Sequence, residues 1–202
     1  MSLIYVTGNK GKYISVKEKF AKEKIAIDFY SCDIDEPDIN DIEVISKYKV
    51  DFAYSILKSP CFVMDTGFYI KDYPNNPGYP GAFVKRSGIS TNIDKLLETL
   101  KNTDNREAYF LDCLTFFDGN EYYRFYGLSE GTIAREKSGQ NTEKSWSPLW
   151  YVFIPKNHDK TLAAMTDEER ANRKDGHTSP VLEFLNWYKN EYLTQKKLIK
   201  KS

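Results

Sequence analysis

Three short segments carry residues whose types and spacing can do chemistry. The first, Thr7-Gly8-Asn9-Lys10-Gly11-Lys12, joins an apolar run to a stretch with helical patterning. Gly8 and Gly11 allow close backbone approach, and a helix N-terminus offers unpaired N–H groups at the positive end of its dipole. Asn9 adds an amide donor and Lys12 a full charge, so the loop suits a polyphosphate. Neither Gly-x-x-x-x-Gly-Lys-Ser/Thr nor Gly-x-Gly-x-x-Gly is present, and a plain strand–turn–helix with exposed lysines is the other reading. The second segment, Val63-Met64-Asp65-Thr66-Gly67, puts a carboxylate just past a buried-type strand, on an expected turn. Catalytic groups of α/β folds sit at such places; capping the turn is the alternative. The acidic run Asp33, Asp35, Glu36 and Asp38 offers a second carboxylate, and carboxylates opposite a phosphate site call for a hard cation such as Mg²⁺. A merely solvated loop has the same composition. The third segment, Gly78-Tyr79-Pro80-Gly81-Ala82-Phe83-Val84-Lys85-Arg86, is a Pro-Gly turn between aromatics, followed by two cations. It suits base stacking and phosphate steadying, or a surface loop around a buried Phe.

These segments need elements to hold them. Leu3–Val6 reads as a strand and residues 25–30 as a second one. Between them Val16, Lys19 and Phe20 share one helical face, with Lys19 contributing only its aliphatic stem. Ile45, Tyr48, Phe52 and Ile56 recur at helical spacing and predict a helix of about four turns with these residues on its apolar face. Phe62-Val63-Met64 is a strand ending at Asp65. Residues 72–81 are dense in Pro, Asn and Gly and read as a loop. Ile93, Leu96, Leu97 and Leu100 mark another helix. Alternation over 108–117, then Asp118-Gly119, then 122–126, predicts a hairpin, with Gly127 and Gly131 punctuating a further turn. Ser179-Pro180 has the form of an N-cap followed by Pro at the first helical position. Val181, Leu185, Tyr188 and Tyr192 line that last helix. Early β/α alternation followed by an antiparallel meander predicts an α/β fold, a mixed sheet flanked by helices.

Composition narrows the function. The 202 residues carry 29 Lys+Arg against 29 Asp+Glu, and a zero balance argues against generic nucleic-acid or anionic-membrane binding. No apolar run approaches the roughly 18–20 residues of a membrane span, and the opening residues lack signal-peptide character. Cys32, Cys61 and Cys113 are widely spaced, so neither a disulfide framework nor a zinc site is indicated. The expectation is a soluble, cytoplasmic domain.

Taken in order, the three segments resemble the inosine triphosphate pyrophosphatase (Ham1-like) family. Thr7, Asn9 and Lys12 match the family's Thr-x-Asn-x-x-Lys loop. Asp65-Thr66-Gly67 matches its Asp-Thr-Gly, and Pro80, Gly81 and Phe83 match its Pro-Gly-x-Tyr/Phe turn. Gly127 to Gly131, Phe153-Ile154-Pro155, Lys160-Thr161 and His177 resemble later motifs, so the similarity covers nearly the whole chain. It implies one domain over residues 1–195 with a basic tail over 196–202. It implies an elongated mixed sheet in two lobes with a nucleotide cleft between them, and a homodimer, to which residues 140–151 are expected to contribute. The implied activity is Mg²⁺-dependent hydrolysis of a nucleoside triphosphate, such as that of inosine or xanthosine, to monophosphate and pyrophosphate. Asp65 would be catalytic, and Glu36 and Asp65 the metal ligands. Thr7, Gly8, Asn9, Lys12, Thr66, Gly67, Phe83, Lys85 and Lys160 would bind substrate. His177 would contact the base or be a satisfied surface residue, and Trp150 would be a stacking wall or pack in the core or a dimer interface.

The chain also departs from the pattern. Ser15 replaces a Glu of the first motif, and Met64 replaces an acidic residue before Asp65. Trp150 stands where the Asp of Phe-Gly-Tyr-Asp-Pro-x-Phe is expected, and Ser-His-Arg has become Gly176-His177-Thr178. Two polar base readers are thus missing, which predicts a pocket relying on stacking and weak base discrimination. A nucleotide-binding protein without turnover, and the same chemistry on another modified nucleotide, are the competing readings.

Overall fold

The computed structural model describes residues 3–199. Seven strands form one mixed sheet in the order β2-β1-β3-β5-β6-β7, with the two-residue β4 (Pro80–Gly81) beside β3. β1 (Leu3–Val6) pairs in parallel with β2 (Ile27–Tyr30) and with β3 (Cys61–Ile70). β5 (Glu107–Phe117), β6 (Tyr122–Ile133) and β7 (Phe153–Pro155) complete the sheet as an antiparallel meander.

Helices cover both faces. α1 (Lys10–Lys22) starts at Asn9, whose Oδ1 accepts from the Lys12 amide at 2.9 Å, and it packs with α6 (Pro180–Trp187) on one face. Val16, Phe20, Phe62, Met64, Phe116 and Phe184 form the core there. On the opposite face lies α2 (Ile42–Leu57), capped by Asp41, over Val6, Val63 and Cys61. A separate core around Phe68, Phe110, Leu149, Phe153 and Leu162, under α4 (Ile93–Thr99), builds a second lobe on the far ends of β3, β5 and β6. The short α3 (Val84–Ser87) and α5 (Asp167–Ala171) lie in loops. The expected mixed sheet and two lobes are present.

Four expectations need correction. β3 does not end at Asp65 but runs on to Ile70, because Asp65, Thr66 and Gly67 pair with Cys113, Asp112 and Leu111 of β5. β6 likewise passes straight through Gly127 and Gly131. These glycines admit close neighbours: an added Cβ would stand 2.4 Å from Pro180 Cδ at Gly127 and 2.2 Å from the Ile154 carbonyl at Gly131. The buried face of α2 is Ile42, Ile45, Ser46, Val50 and Ala53, whereas Tyr48, Phe52 and Ile56 are exposed. Lys19 does more than lend its stem, since it lines the cleft described below. Ser179 is an N-cap as expected, its Oγ accepting from the Leu182 amide. A π-turn (Tyr188–Tyr192) carries α6 into α7 (Leu193–Ile199). The expected tail, 196–202, therefore falls partly on α7 and partly outside the described residues.

Candidate active site

β1 pairs with β3 only as far as Tyr5–Phe62, and β4 begins pairing at Phe68. Between these points one edge of β3 has no strand beside it. The β1–α1 and β2–α2 loops overhang this gap, at the C-terminal end of a parallel strand, where open α/β sheets bind ligands. The result is a cleft of about 1040 Å³. Successive side chains of a strand point to opposite faces, so the β3 edge divides the cleft into two sides.

On the α2 side stand Asp65, Glu36 and Lys49. Lys49 Nζ donates to Asp65 Oδ1 at 2.5 Å and to Glu36 Oε1 at 2.7 Å. All three side chains are less than one-fifth exposed. Burial opposes the charge on Lys49, but Asp65 and Glu36 outweigh it and hold the ammonium above its usual range. Asp65 Oδ2 is buried with no hydrogen-bond partner. At the mouth Lys85 clasps Asp33 at 2.7 and 2.8 Å, and Arg86 pairs with Asp38.

On the α1 side Lys12 Nζ donates to the Met64 carbonyl at 3.0 Å and to Thr66 Oγ1 at 2.8 Å. The Thr66 hydroxyl in turn donates to Asp112 Oδ1. Burial pulls the Lys12 ammonium below its ordinary range, against the attraction of Asp112 and Asp65. Burial likewise pushes the Asp112 carboxyl up, against Lys12 and Thr66. Lys19 is also lowered by burial. Thr7 Oγ1 accepts from the Asn9 amide at 3.1 Å. Asn9 Nδ2 donates to the Trp146 carbonyl at 2.9 Å, so its amide ties down the opposite wall. Gly11 permits this closeness, because an added Cβ would lie 2.4 Å from the Ser145 carbonyl; Gly8 has ordinary clearance from Cys32.

The far wall of this side is aromatic and basic. Trp146 and Trp150 have ring centroids 6.3 Å apart, and the Arg170 guanidinium lies 5.4 Å over the Trp150 ring. Arg173 and His177 complete the lining. Residues 140–151, expected at an interface, thus furnish this wall through Trp146, Ser147, Pro148 and Trp150.

The structure brings together Thr7, Gly8, Asn9, Lys12, Glu36, Asp65, Thr66, Lys85, Trp150 and His177, which all line the cleft. Gly67, Phe83 and Lys160 do not. Gly67 lies against the Tyr69 ring, and Phe83 lies beneath the Arg86 guanidinium at 4.9 Å. Lys160 bonds Glu169 at 2.7 Å beside a separate hollow. Lys49, Asp112, Arg170 and Arg173 were not legible as site residues. Lys49 lies mid-helix, one position from the heptad-like run that drew attention, and Asp112 sits inside an apolar strand. Cys61 and Cys113 are buried, and burial pushes their thiols up to about 12 and about 11, which disfavours nucleophilic use.

The model of the Ham1 family matches residues 3–175. The chain belongs to the Ham1 family. The dITP/XTP pyrophosphatase of Saccharolobus solfataricus is 34% identical over 165 residues, covering 82% of each chain. That of Thermococcus kodakarensis is 31% identical over 191 residues, covering 94% of this chain and 98% of its own. The solved structure of the Staphylococcus aureus Ham1 protein shares the fold, with a TM-score of 0.72 at 22% identity over 93% of this chain and 99% of that one.

Within this Ham1 chain the departure at Met64 is displaced from the acidic side. Its side chain packs in the core beneath α1 and α6, on the face opposite Asp65. Among the described residues no group of three or more His, Cys, Asp or Glu side chains is arranged to hold a metal. The donor set instead fits a hard divalent cation that takes one or two carboxylates and completes its shell with phosphate oxygens and water. Asp65, with its unpartnered buried Oδ2, and Glu36, which Lys49 bridges, would be those carboxylates.

Proposed function

We propose that this chain hydrolyses non-standard purine nucleoside triphosphates, of the inosine and xanthosine kind, to monophosphate and pyrophosphate, with Mg²⁺ as cofactor. The observation that carries the reading is the split across the β3 edge. Asp65 and Glu36 lie on one side, with Lys12, Thr66 and the start of α1 on the other. A triphosphate crossing that edge meets cations and N–H donors for its oxygens and a carboxylate for water.

Each residue then has a role. Lys12 and the N-terminal turn of α1 hold the pyrophosphate portion. Lys85, released from Asp33, is a further cation at the mouth. Asp65 orients a water toward the α-phosphorus and takes its proton as the new P–O bond forms. The bond to the pyrophosphate oxygen then breaks, and pyrophosphate leaves with that electron pair. Lys49 fixes the Asp65 carboxylate through Oδ1 and leaves Oδ2 without a protein partner. When bound at Glu36 and Asp65, Mg²⁺ supplies charge neutralisation for the phosphate oxygens.

A homodimer in the cytoplasm is part of the same reading. Val44, Tyr48, Phe52 and Ile56 form an exposed apolar stripe along α2, which supports the dimer, and light scattering tests it. The described cysteines are all free thiols, in keeping with a reducing compartment. No helix among the described residues is long and apolar enough to cross a membrane.

The test is pyrophosphate release from a panel of nucleoside triphosphates with and without Mg²⁺. Pyrophosphate from inosine or xanthosine triphosphate, dependent on Mg²⁺, is expected. Binding of nucleotide without any product would replace this reading with the binding-only one.

A further inference from the structure

One buried cation in the cleft has no part in the hydrolytic scheme. The Arg173 side chain lines the cleft and is only 10% exposed. Nη1 reaches Ser129 Oγ at 3.4 Å and lies 3.6 Å from Asp175 Oδ2, both long contacts. Nε is buried with no hydrogen-bond partner. A guanidinium carries five N–H donors in a fixed fork, and leaving them unfilled when buried is costly. The fork is also held in place. Asp175 Oδ1 accepts from His177 at both the ring Nδ1, 2.7 Å, and the backbone amide, 3.2 Å. This anchors the carboxylate behind Arg173.

The surroundings say which ligand fits. The indoles of Trp146 and Trp150 line the same side of the cleft and offer flat apolar surface for a base. Burial opposes the Arg173 charge, as does Arg170, while Asp175 and Asp112 favour it. Asp175, 3.6 Å from Nη1, offsets part of the guanidinium charge, which suits a neutral acceptor edge. A 6-oxo purine presents two adjacent acceptors, O6 and N7, which match two parallel N–H donors of an arginine. Adenine presents N7 beside an N6 donor, which would point a hydrogen at the guanidinium.

Resting on the hydrolase reading above, we infer that Arg173 reads the base, donating to O6 and N7 of a 6-oxo purine set against the tryptophan wall. It therefore takes over the polar reading that Trp150 and Thr178 cannot supply. On this assignment the pocket rejects adenosine nucleotides, whereas a pocket relying mainly on stacking would discriminate weakly. The fork does not distinguish inosine from guanosine, since both show O6 and N7.

The experiment compares inosine triphosphate with purine riboside triphosphate, which keeps N7 but lacks the 6-oxo group. Wild type is expected to favour the inosine substrate in kcat/KM by about 10- to 100-fold, the range for a bidentate arginine contact. Arg173→Gln should lose most of that preference, with kcat/KM falling further for inosine triphosphate, which loses both contacts, than for purine riboside triphosphate, which loses only the one to N7. Because both substrates are read on the same variant, the folded fraction cancels. An equal fall on both substrates, or no preference in wild type, would overturn the assignment. Calorimetric titration with inosine and purine riboside monophosphates separates this from hydrolysis. An Arg173-dependent preference for inosine monophosphate in a protein that turns over no triphosphate would keep the base assignment and remove the hydrolase reading. No such preference would remove the assignment whatever the turnover.

Discussion

Lys49 Nζ stands 2.5 Å from Asp65 Oδ1, in the gap between that carboxylate and Glu36. One ammonium thus fixes the orientation of the proposed base and keeps two buried carboxylates from repelling each other. Misplacing a catalytic group by about 1 Å can cost 10²-fold. Lys49→Met is expected to lower kcat by about that factor while changing KM much less, because Lys12 is the proposed phosphate contact. Lys49→Arg should recover part of the loss. Steady-state kinetics on the two variants checks this; unchanged kcat in Lys49→Met would remove the positioning role.

Lys12 makes the site sensitive to alkaline pH, with a definite sign. In the free protein burial holds its ammonium below the ordinary value of 10.5. A bound phosphate stabilises the charged form and raises the value in the complex. Between the two values binding takes up a proton, so nucleotide affinity should fall as pH rises. Folding stability moves the other way. The unfolded chain binds more protons in the window below 10.5, so the free protein gains stability there as pH rises. Lys12→Met should flatten both dependences. Calorimetry in buffers of different ionisation enthalpy measures the uptake, and proton release on binding would contradict the assignment.

Much of this was legible in the sequence, and the gaps have physical causes. The β1–α1 loop, Asp65 and Glu36 stood out because glycines and carboxylates beside an apolar run are chemically conspicuous. The continuation of β3 was hidden, since Asp-Thr-Gly resembles a turn until Lys49 and Lys12 satisfy its side chains from two helices. Lys49, Asp112 and Arg173 are separated by about sixty residues each in sequence, and only the sheet brings their carriers together. The buried face of α2 is not legible from spacing, because Tyr48, Phe52 and Ile56 keep helical spacing on the exposed side. Spacing reports periodicity and not which stripe is buried.

Gly11 offers a test of how the two cleft walls are joined. Its missing side chain lets the Ser145 carbonyl approach, while Asn9 Nδ2 holds the Trp146 carbonyl at 2.9 Å. Gly11→Ala forces backbone apart at this seam, an overpacking that costs about 1–3 kcal/mol. A lowered denaturation midpoint together with a raised KM for nucleotide is expected, since Trp146 moves with the loop. Chemical denaturation and kinetics on one preparation report both, and an unchanged KM would show that the seam does not shape the binding wall.

In the proposed reaction water attacks the α-phosphorus with Asp65 as base. Hydrolysis of inosine triphosphate in ¹⁸O-labelled water, followed by mass spectrometry of both products, tests it most directly. The label should appear in inosine monophosphate and not in pyrophosphate, and Asp65→Asn should slow its appearance by about 10²–10⁴-fold. Label in pyrophosphate, release of orthophosphate, or an Asp65→Asn protein that works at the wild-type rate would contradict it.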